Sequence, residues 1–134
     1  MSALGGDVIH EKIKEEERLI VAANMDLKEA EAKGFWPVYD TYQADLGKLN
    51  ERLGKLIRRY ADHYKNNTLT DATAKSLLNE ALAIEQAEVN MRQAYAPKLA
   101  AVLPATKVAR YLQIESKIRA VIKYELADGI PLVP

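Results

Sequence analysis

The chain has 134 residues, 49% of them hydrophobic, and its nineteen basic residues balance nineteen acidic ones. This length predicts one domain with enough apolar material for a core, while zero net charge argues against a protein that binds mainly nucleic-acid phosphates. The absence of cysteine excludes disulfides, thiolate metal sites and a cysteine nucleophile. No stretch is long and apolar enough to predict membrane insertion.

Helical periodicity runs through the whole sequence, and glycine and proline interrupt it only rarely. We expect a disordered leader at 1–6 and a first helix at 7–23, whose charged faces are exposed to water. A second and much longer helix is predicted at 26–66. Asp26 is its predicted N-cap, and Glu29 is the capping-box partner three residues later.

The long helix carries an apolar seam with spacings of three and four residues, which is typical of a helix that packs lengthwise against another. The seam consists of Phe35, Tyr39, Tyr42, Leu46, Leu49, Leu53, Leu56, Tyr60 and Tyr64. The only Phe of the chain adjoins its only Trp, Trp36, between Gly34 and Pro37. We interpret Phe35 as a core anchor. Trp36 lies about 100° round the helix from it, so we interpret Trp36 as a contact for a second copy or a client.

A third helix is predicted at 70–102, with a kink near Pro97, and a fourth at 104–128, which begins with proline. Gly129 ends the fourth helix and leaves a tail at 129–134. The predicted fold is all-α: a long antiparallel helical hairpin with shorter flanking helices, elongated in shape. Such a shape leaves seam surface uncovered and favours a homodimer, the alternative being a closed monomeric four-helix bundle.

No pattern in the sequence predicts a catalytic site or a cofactor. There is no glycine-rich phosphate loop, nucleophile elbow or zinc-binding His-Glu-x-x-His motif. The two histidines, His10 and His63, lack the Glu-x-x-His spacing of di-iron sites. His10 together with Asp7, Glu11 or Met25 is the one metal-site candidate, and an exposed helical histidine is the alternative. The sequence therefore predicts a protein that is not an enzyme.

Two carboxylates, Glu88 and Glu115, fall on the apolar seams of the third and fourth helices. Two carboxylates that face one core can form an acid/base pair. The interpretation that we favour is a structural ion pair with arginine, which fixes the register of helices more than it stabilises them. The arginines available are Arg58, Arg59, Arg92, Arg110 and Arg119.

The tyrosine-rich seam is amphipathic and allows two interpretations. It either packs as the core or provides an adaptable contact surface with hydroxyls that face water. For the second interpretation the candidate client- or partner-binding residues are Phe35, Trp36, Tyr39, Tyr42, Tyr60, Tyr64, Met91 and Tyr95.

Three predicted helix starts share a short pattern, "MDLKE" at 25–29, "LTDAT" at 69–73 and "LPATK" at 103–107. Each has an apolar residue, then a capping residue or proline, and a polar residue at the fifth position. They resemble the LTxxQ signature of the Spy/CpxP family of periplasmic helical proteins, although none keeps the Gln. The resemblance extends over roughly 24–128 and includes a C-terminal stretch similar to the ending of Spy-like exported proteins.

The resemblance implies an exported, ATP-independent chaperone or envelope-stress protein, periplasmic once a signal peptide has been removed upstream of Ser2. Members of the family form antiparallel, cradle-shaped dimers whose concave face holds unfolded clients. A related branch binds metal ions through histidines, which are scarce in this sequence. The alternatives from other functional classes are a metal- or ligand-responsive periplasmic sensor and a structural or adaptor helical module.

Overall fold

The computed structural model of the chain describes the backbone of residues 3–134 and the side chains of residues 14–134. Within this part of the chain the regular elements are the helices α1 (Ala3–Met25), α2 (Glu29–Lys65), α3 (Asp71–Ala100) and α4 (Ala105–Asp128). The all-α prediction is therefore confirmed. α1 begins inside the predicted leader at 1–6, of which Met1 and Ser2 lie outside the described residues. Residues 129–134 follow α4 as a non-helical tail.

The turn between α1 and α2 differs from the predicted one. Asp26 adopts the left-handed conformation, with φ of 48°, which is typical of the residue just beyond a helix end. α2 instead begins after Lys28, whose backbone N–H donates to the Glu31 carboxylate over 2.9 Å. The Lys107 ammonium donates to the same carboxylate over 2.6 Å, and these two hydrogen bonds hold the pKa of Glu31 below its ordinary value. The start of α2 is thereby tied to α4.

The other helix ends follow the sequence closely. Thr70 caps α3 by accepting a hydrogen bond from the Thr73 N–H over 3.2 Å, as a residue at this position does. α3 continues through Pro97 and ends at Ala100, so the proline does not split the helix. Pro104 has extended backbone angles and forms the N-cap of α4 rather than its first residue.

α2 and α3 pack against each other along their lengths, and α4 packs against α1 and α3. The short link 66–70 joins α2 to α3. Two contacts show that the two helices run in opposite directions. Closer to the link, Arg52 of α2 pairs with Glu80 of α3 over 2.8 Å. Far from the link, the rings of Tyr42 and Tyr95 meet edge to face, with centroids 5.0 Å apart.

The buried side chains form two separate clusters. The larger one, here called the aromatic core, draws on all four helices and contains Val21, Met25, Phe35, Tyr39, Tyr42, Tyr95, Leu99, Leu103 and Tyr111. The smaller one, here called the link cluster, contains Leu56, Leu77 and Ile84 from α2 and α3. The end of the fold near the link is therefore less completely covered than the aromatic end.

A close approach between α2 and the loop before α4 explains Gly34. A Cβ added there would lie 2.7 Å from Cγ1 and 2.8 Å from Cβ of Val102, distances that force the backbone or Val102 to move. We expect Gly34→Ala to destabilise the protein by about 1–3 kcal/mol, measured by urea unfolding. The matched control is Gly47→Ala on the same helix, where a Cβ meets nothing within 4 Å. That substitution should stabilise by up to about 1 kcal/mol, and the same gain at Gly34 would contradict the packing described.

Candidate functional site

Four of the predicted client-binding residues lie in the aromatic core. Phe35, Tyr39, Tyr42 and Tyr95 expose between 0% and 4% of their surface. Their rings form edge-to-face contacts that include Tyr111, whose centroid lies 5.0 Å from that of Phe35. Because these four side chains are buried where α2, α3 and α4 meet, they are part of the core and do not form an exposed contact surface.

Trp36 is packed as well, although it lies off the seam. Its ring meets Phe35 and Tyr39 edge to face, with centroids 4.9 and 5.1 Å apart. On its other side the guanidinium of Arg18 lies 4.2 Å from the ring centroid, a cation–π contact. Arg18 also pairs with Asp40 over 3.0 Å. Trp36 therefore lies partly buried at the edge of the aromatic core beneath α1, and its role as a contact for a second copy or a client stays a prediction.

The three remaining candidates lie in different surroundings. Met91 is partly buried against the aromatic core. Tyr60 is partly buried against the link cluster, and its ring stacks on that of Tyr64 with centroids 6.0 Å apart. Tyr64 exposes 40% of its surface. Among the aromatic residues of the α2 seam, only Tyr60 and Tyr64 reach the surface, and both lie at the link end of α2.

Glu88 forms the ion pair that its position on the seam suggested. Its carboxylate accepts hydrogen bonds from Arg119 and, over 2.8 Å, from Lys123, so α3 is pinned to α4. Burial alone would raise the pKa of Glu88, but the hydrogen bonds from Lys123 and Arg119 outweigh burial and leave that pKa below its ordinary value. Of the other candidate arginines, Arg92 donates to Ser116, while Arg58 lies in a wide trough beside α1.

Glu115 corrects the expectation of an arginine partner. Glu115 is 8% exposed, and its carboxylate accepts a hydrogen bond over 3.1 Å from the amide of Gln43, which also donates to the Tyr111 hydroxyl. Burial raises the pKa of Glu115 to about 7, and hydrogen bonds from Tyr111 and Gln43 oppose that rise only in part. Because Arg92 acts on it only as a distant charge, Glu115 is a buried acid held by neutral partners.

An open apolar groove lies next to the link cluster, between the α2–α3 pair and the end of α4. It encloses a volume of about 410 Å³, and one side carries the charged residues Glu85, Glu88 and Lys123. Its aliphatic lining comes from three helices, the link and the tail and includes Leu53, Leu56, Ile57, Leu69, Leu77, Leu78, Ala81, Ile84, Leu126, Ala127, Ile130 and Val133. Tyr60 completes it. We call this feature the apolar groove.

The wide trough between α1, α2 and α4 has a different character. Its volume is about 1030 Å³, and charges of both signs line it. The basic ones are Lys14, Arg18, Lys48, Lys55, Arg58 and Arg119, and the acidic ones are Glu15, Glu17, Asp40, Glu51 and Glu115. Because these charges nearly balance, the trough favours neither an anionic nor a cationic ligand, and the apolar groove is the candidate functional site.

The sequence missed the apolar groove because part of its wall carries no helical signal. Leu56, Leu77 and Ile84 were on predicted seams, but the residues opposite them include Ile130 and Val133, which the sequence placed in a tail. The signal that could have drawn attention to the tail is its composition, since the five residues after Gly129 are Ile-Pro-Leu-Val-Pro and none of them is polar. A tail exposed to water is usually polar.

Metal-binding groups are not gathered anywhere in the described part of the chain. No three His, Cys, Asp or Glu side chains among residues 14–134 are close enough to hold an ion. His63 lies 2.7 Å from the Thr68 hydroxyl through its Nδ1 atom. The side chain of His10, the predicted candidate, lies outside the described residues. In the described residues, none of the helices has the length and apolarity needed to cross a membrane.

Comparison of the chain with protein-family models, with curated proteins and with solved structures gives no significant match.

Proposed function

We propose that the chain is a non-enzymatic binding protein, an ATP-independent chaperone or envelope-stress factor of the Spy/CpxP type. It holds apolar segments of unfolded or partly folded clients. The observation that carries this proposal is the apolar groove, an open, largely aliphatic recess of about 410 Å³. Its volume lies within the range of about 300–1,000 Å³ that is usual for ligand pockets. The sequence resemblance supports the same class of function and a periplasmic location.

The chemistry of the groove suits weak and unselective binding. Burial of apolar surface is non-directional and scales with area, so an aliphatic recess accepts many sequences without a fixed pattern of hydrogen bonds. The apolar surface also continues beyond the recess, because Leu78 at its edge is 57% exposed and Leu82, one turn further along α3, is 53% exposed. The charged side chains of Glu85 and Lys123 at the side of the groove keep water close to it, which favours reversible binding of a client.

The proposed client surface therefore differs from the one suggested by the tyrosine seam. Most of that seam is core, and only Tyr60 and Tyr64 join the apolar surface near the link. In the proposal, clients contact the aliphatic residues of the apolar groove and the exposed leucines of α3.

We also propose that the protein forms an antiparallel homodimer. Apolar side chains outside the groove, such as Val121 and Tyr124 at 59% and 74% exposed, are available for a second copy to cover. Sedimentation equilibrium measures the mass directly, and a monomer at all concentrations would remove this part of the proposal.

The chaperone proposal predicts suppression of client aggregation. In a light-scattering assay with a chemically unfolded, aggregating client, we expect several-fold excess of the protein to lower the scattering without ATP. Leu78→Asp should weaken this effect strongly, because it places a charge at the edge of the apolar groove. The matched control is Leu19→Asp on α1, where Leu19 is 68% exposed and does not line the groove. Absence of suppression, or equal losses in the two variants, would count against the proposal.

A further inference from the structure

The tail of the chain forms part of the wall of the apolar groove. At the end of α4 the N–H groups of Gly129 and Ile130 donate to the carbonyls of Leu126 and Ala127, each over 3.2 Å, and complete the last turn of the helix. Ile130 and Val133 then line the groove. Between them, the carbonyl of Pro131 accepts a hydrogen bond of 2.7 Å from the Tyr60 hydroxyl.

The spacing of the tail residues fits an extended polyproline II segment. In that conformation three residues complete one turn, so positions i and i+3 face the same side. Ile130 and Val133 are three apart and both line the groove, whereas Leu132 between them is 91% exposed. Pro131 and Pro134 favour this conformation, because the proline ring fixes φ near −65°.

The tail is held loosely. Ile130 and Val133 still expose 37% and 56% of their surface, so the groove buries only part of each side chain. The hydrogen bond from Tyr60 uses a single backbone carbonyl, which any extended peptide can offer. The contacts that hold the tail are thus contacts that another chain can make equally well.

We propose that residues 130–134 are a tethered ligand of the apolar groove and occupy the place of a client segment. The ligand class is an extended, uncharged peptide with aliphatic side chains at positions i and i+3 and a carbonyl that accepts from Tyr60. Ile130 and Val133 occupy one side of the groove and leave about 410 Å³ beside them open. A client segment that extends over the strip under the tail has to displace the tail, which lowers the apparent affinity for that client. This inference rests on the proposed function for its biological meaning, but the recognition itself can be measured without a client.

The test uses a fluorescent synthetic peptide of residues 129–134 and the full-length chain, with anisotropy as the readout. Ile130→Asp in the protein should release the tail, because it places a charge in the groove. The matched control is Leu132→Asp, which adds the same charge to the exposed side of the tail. If the tail occupies its strip of the groove in about nine molecules of ten, its release raises the apparent affinity for the peptide about tenfold. The Leu132→Asp protein should bind the peptide as weakly as the unchanged chain, and equal affinities of all three proteins would overturn the inference.

Two further comparisons test the recognition itself. On the Ile130→Asp protein, a peptide with Asp in place of Val133 should lose binding, while a peptide with Asp in place of Leu132 should retain it. Tyr60→Phe, made in the same protein, should weaken binding several-fold, and Tyr124→Phe, on an exposed ring of α4, should leave it unchanged. Equal binding of the two altered peptides would contradict the proposed facing of i and i+3.

Failure of the inference is distinguishable from failure of the proposed function. If the released groove binds the peptide but no form of the protein suppresses aggregation, the tethered-ligand inference stands and the chaperone proposal falls. If the protein suppresses aggregation equally well with and without Ile130→Asp and binds no peptide, the inference falls and the chaperone proposal stands.

Discussion

Replacing Glu115 with glutamine is expected to stabilise the protein by about 1–3 kcal/mol at pH 8 and to flatten its stability between pH 5 and pH 8. The folded-state pKa of Glu115 is raised to about 7 from an ordinary value of 4.5, chiefly by burial. The folded protein therefore binds a proton over a pH range in which the unfolded chain has lost it. The stabilising effect of this difference is fully present below pH 4.5 and is lost as the pH rises through 7.

The Glu115→Gln side chain is neutral at every pH, so the cost of burying a charge at high pH disappears. The variant keeps the shape of the side chain and a carbonyl oxygen that can accept from Gln43 and the Tyr111 hydroxyl. The measurement is urea unfolding at a series of pH values. The matched control, Glu125→Gln, changes an exposed carboxylate of the same helix and should shift the stability by no more than about 0.5 kcal/mol. A variant at position 115 that is less stable than the natural protein at pH 8 would show that the carboxylate is held as a favourable anion.

Burial decides the sign of this effect, and the charged neighbours of Glu115 modify its size. Glu17 on α1 opposes ionisation, while Arg92 on α3 favours it more weakly than burial disfavours it. A direct arginine partner would have lowered the pKa, as the partners of Glu88 do. Protonation of Glu115 is therefore expected to stabilise the folded protein, whereas protonation of Glu88 is expected to destabilise it.

Substitution of Phe35 by Ala is expected to destabilise the protein by about 3–5 kcal/mol, and substitution of Trp36 by Ala by much less. Phe35 is fully buried and contacts Tyr39 and Tyr111 as well as Trp36. Removal of its ring leaves a cavity at the point where α2 meets α4. Trp36 lies at the edge of the core, and its loss removes the contact with Arg18 without opening the centre.

Thermal unfolding followed by far-ultraviolet circular dichroism compares the two variants. We expect Phe35→Ala to melt far below the natural protein and Trp36→Ala to melt only modestly below it, with helix content retained at low temperature. A loss of similar size at both positions would show that the two aromatics form one inseparable core unit.

Much of the fold follows from the sequence because helical periodicity is a local property. The seam predicted from Phe35 to Leu56 is buried at most of the positions that the pattern singled out. The pattern cannot say what covers the seam, however, since an apolar face looks the same under a helix of its own chain and under a second copy. Tyr39 and Tyr42 were therefore left between core and contact surface, and the arrangement of α3 and α4 assigns them to the core.

The differences between prediction and structure come from register and from short-range backbone geometry. Glu88 on α3 and Glu115 on α4 both fall on apolar seams, yet only Glu88 pairs with basic side chains of the neighbouring helix, Arg119 and Lys123. Asp is a residue type that often caps helices, but Asp26 has a left-handed backbone, and the N-cap of α2 is Lys28. Neither outcome can be derived without the positions of neighbouring helices.

The candidate site was harder to predict than the fold. The apolar groove is formed where α2, α3, α4 and the tail come together, and its residues lie far apart in the chain. A periodic pattern identifies the face of each helix but does not identify the gap between them. The tail carries no periodic signal at all. Its position beside the groove is seen only in the structure, from the hydrogen bond between Tyr60 and Pro131 and from the place of Ile130 and Val133 in the lining.

The central claim is that clients bind at the apolar groove, and site-specific photo-cross-linking tests it most directly. A photoreactive amino acid would replace Leu78 at the edge of the groove or, as the matched control, the exposed Leu19 on α1. Both positions are on the surface, so the fold should tolerate either change. We expect an unfolding client to form adducts with position 78 and few or none with position 19. Equal labelling at the two positions, or labelling at position 19 alone, would contradict the claim.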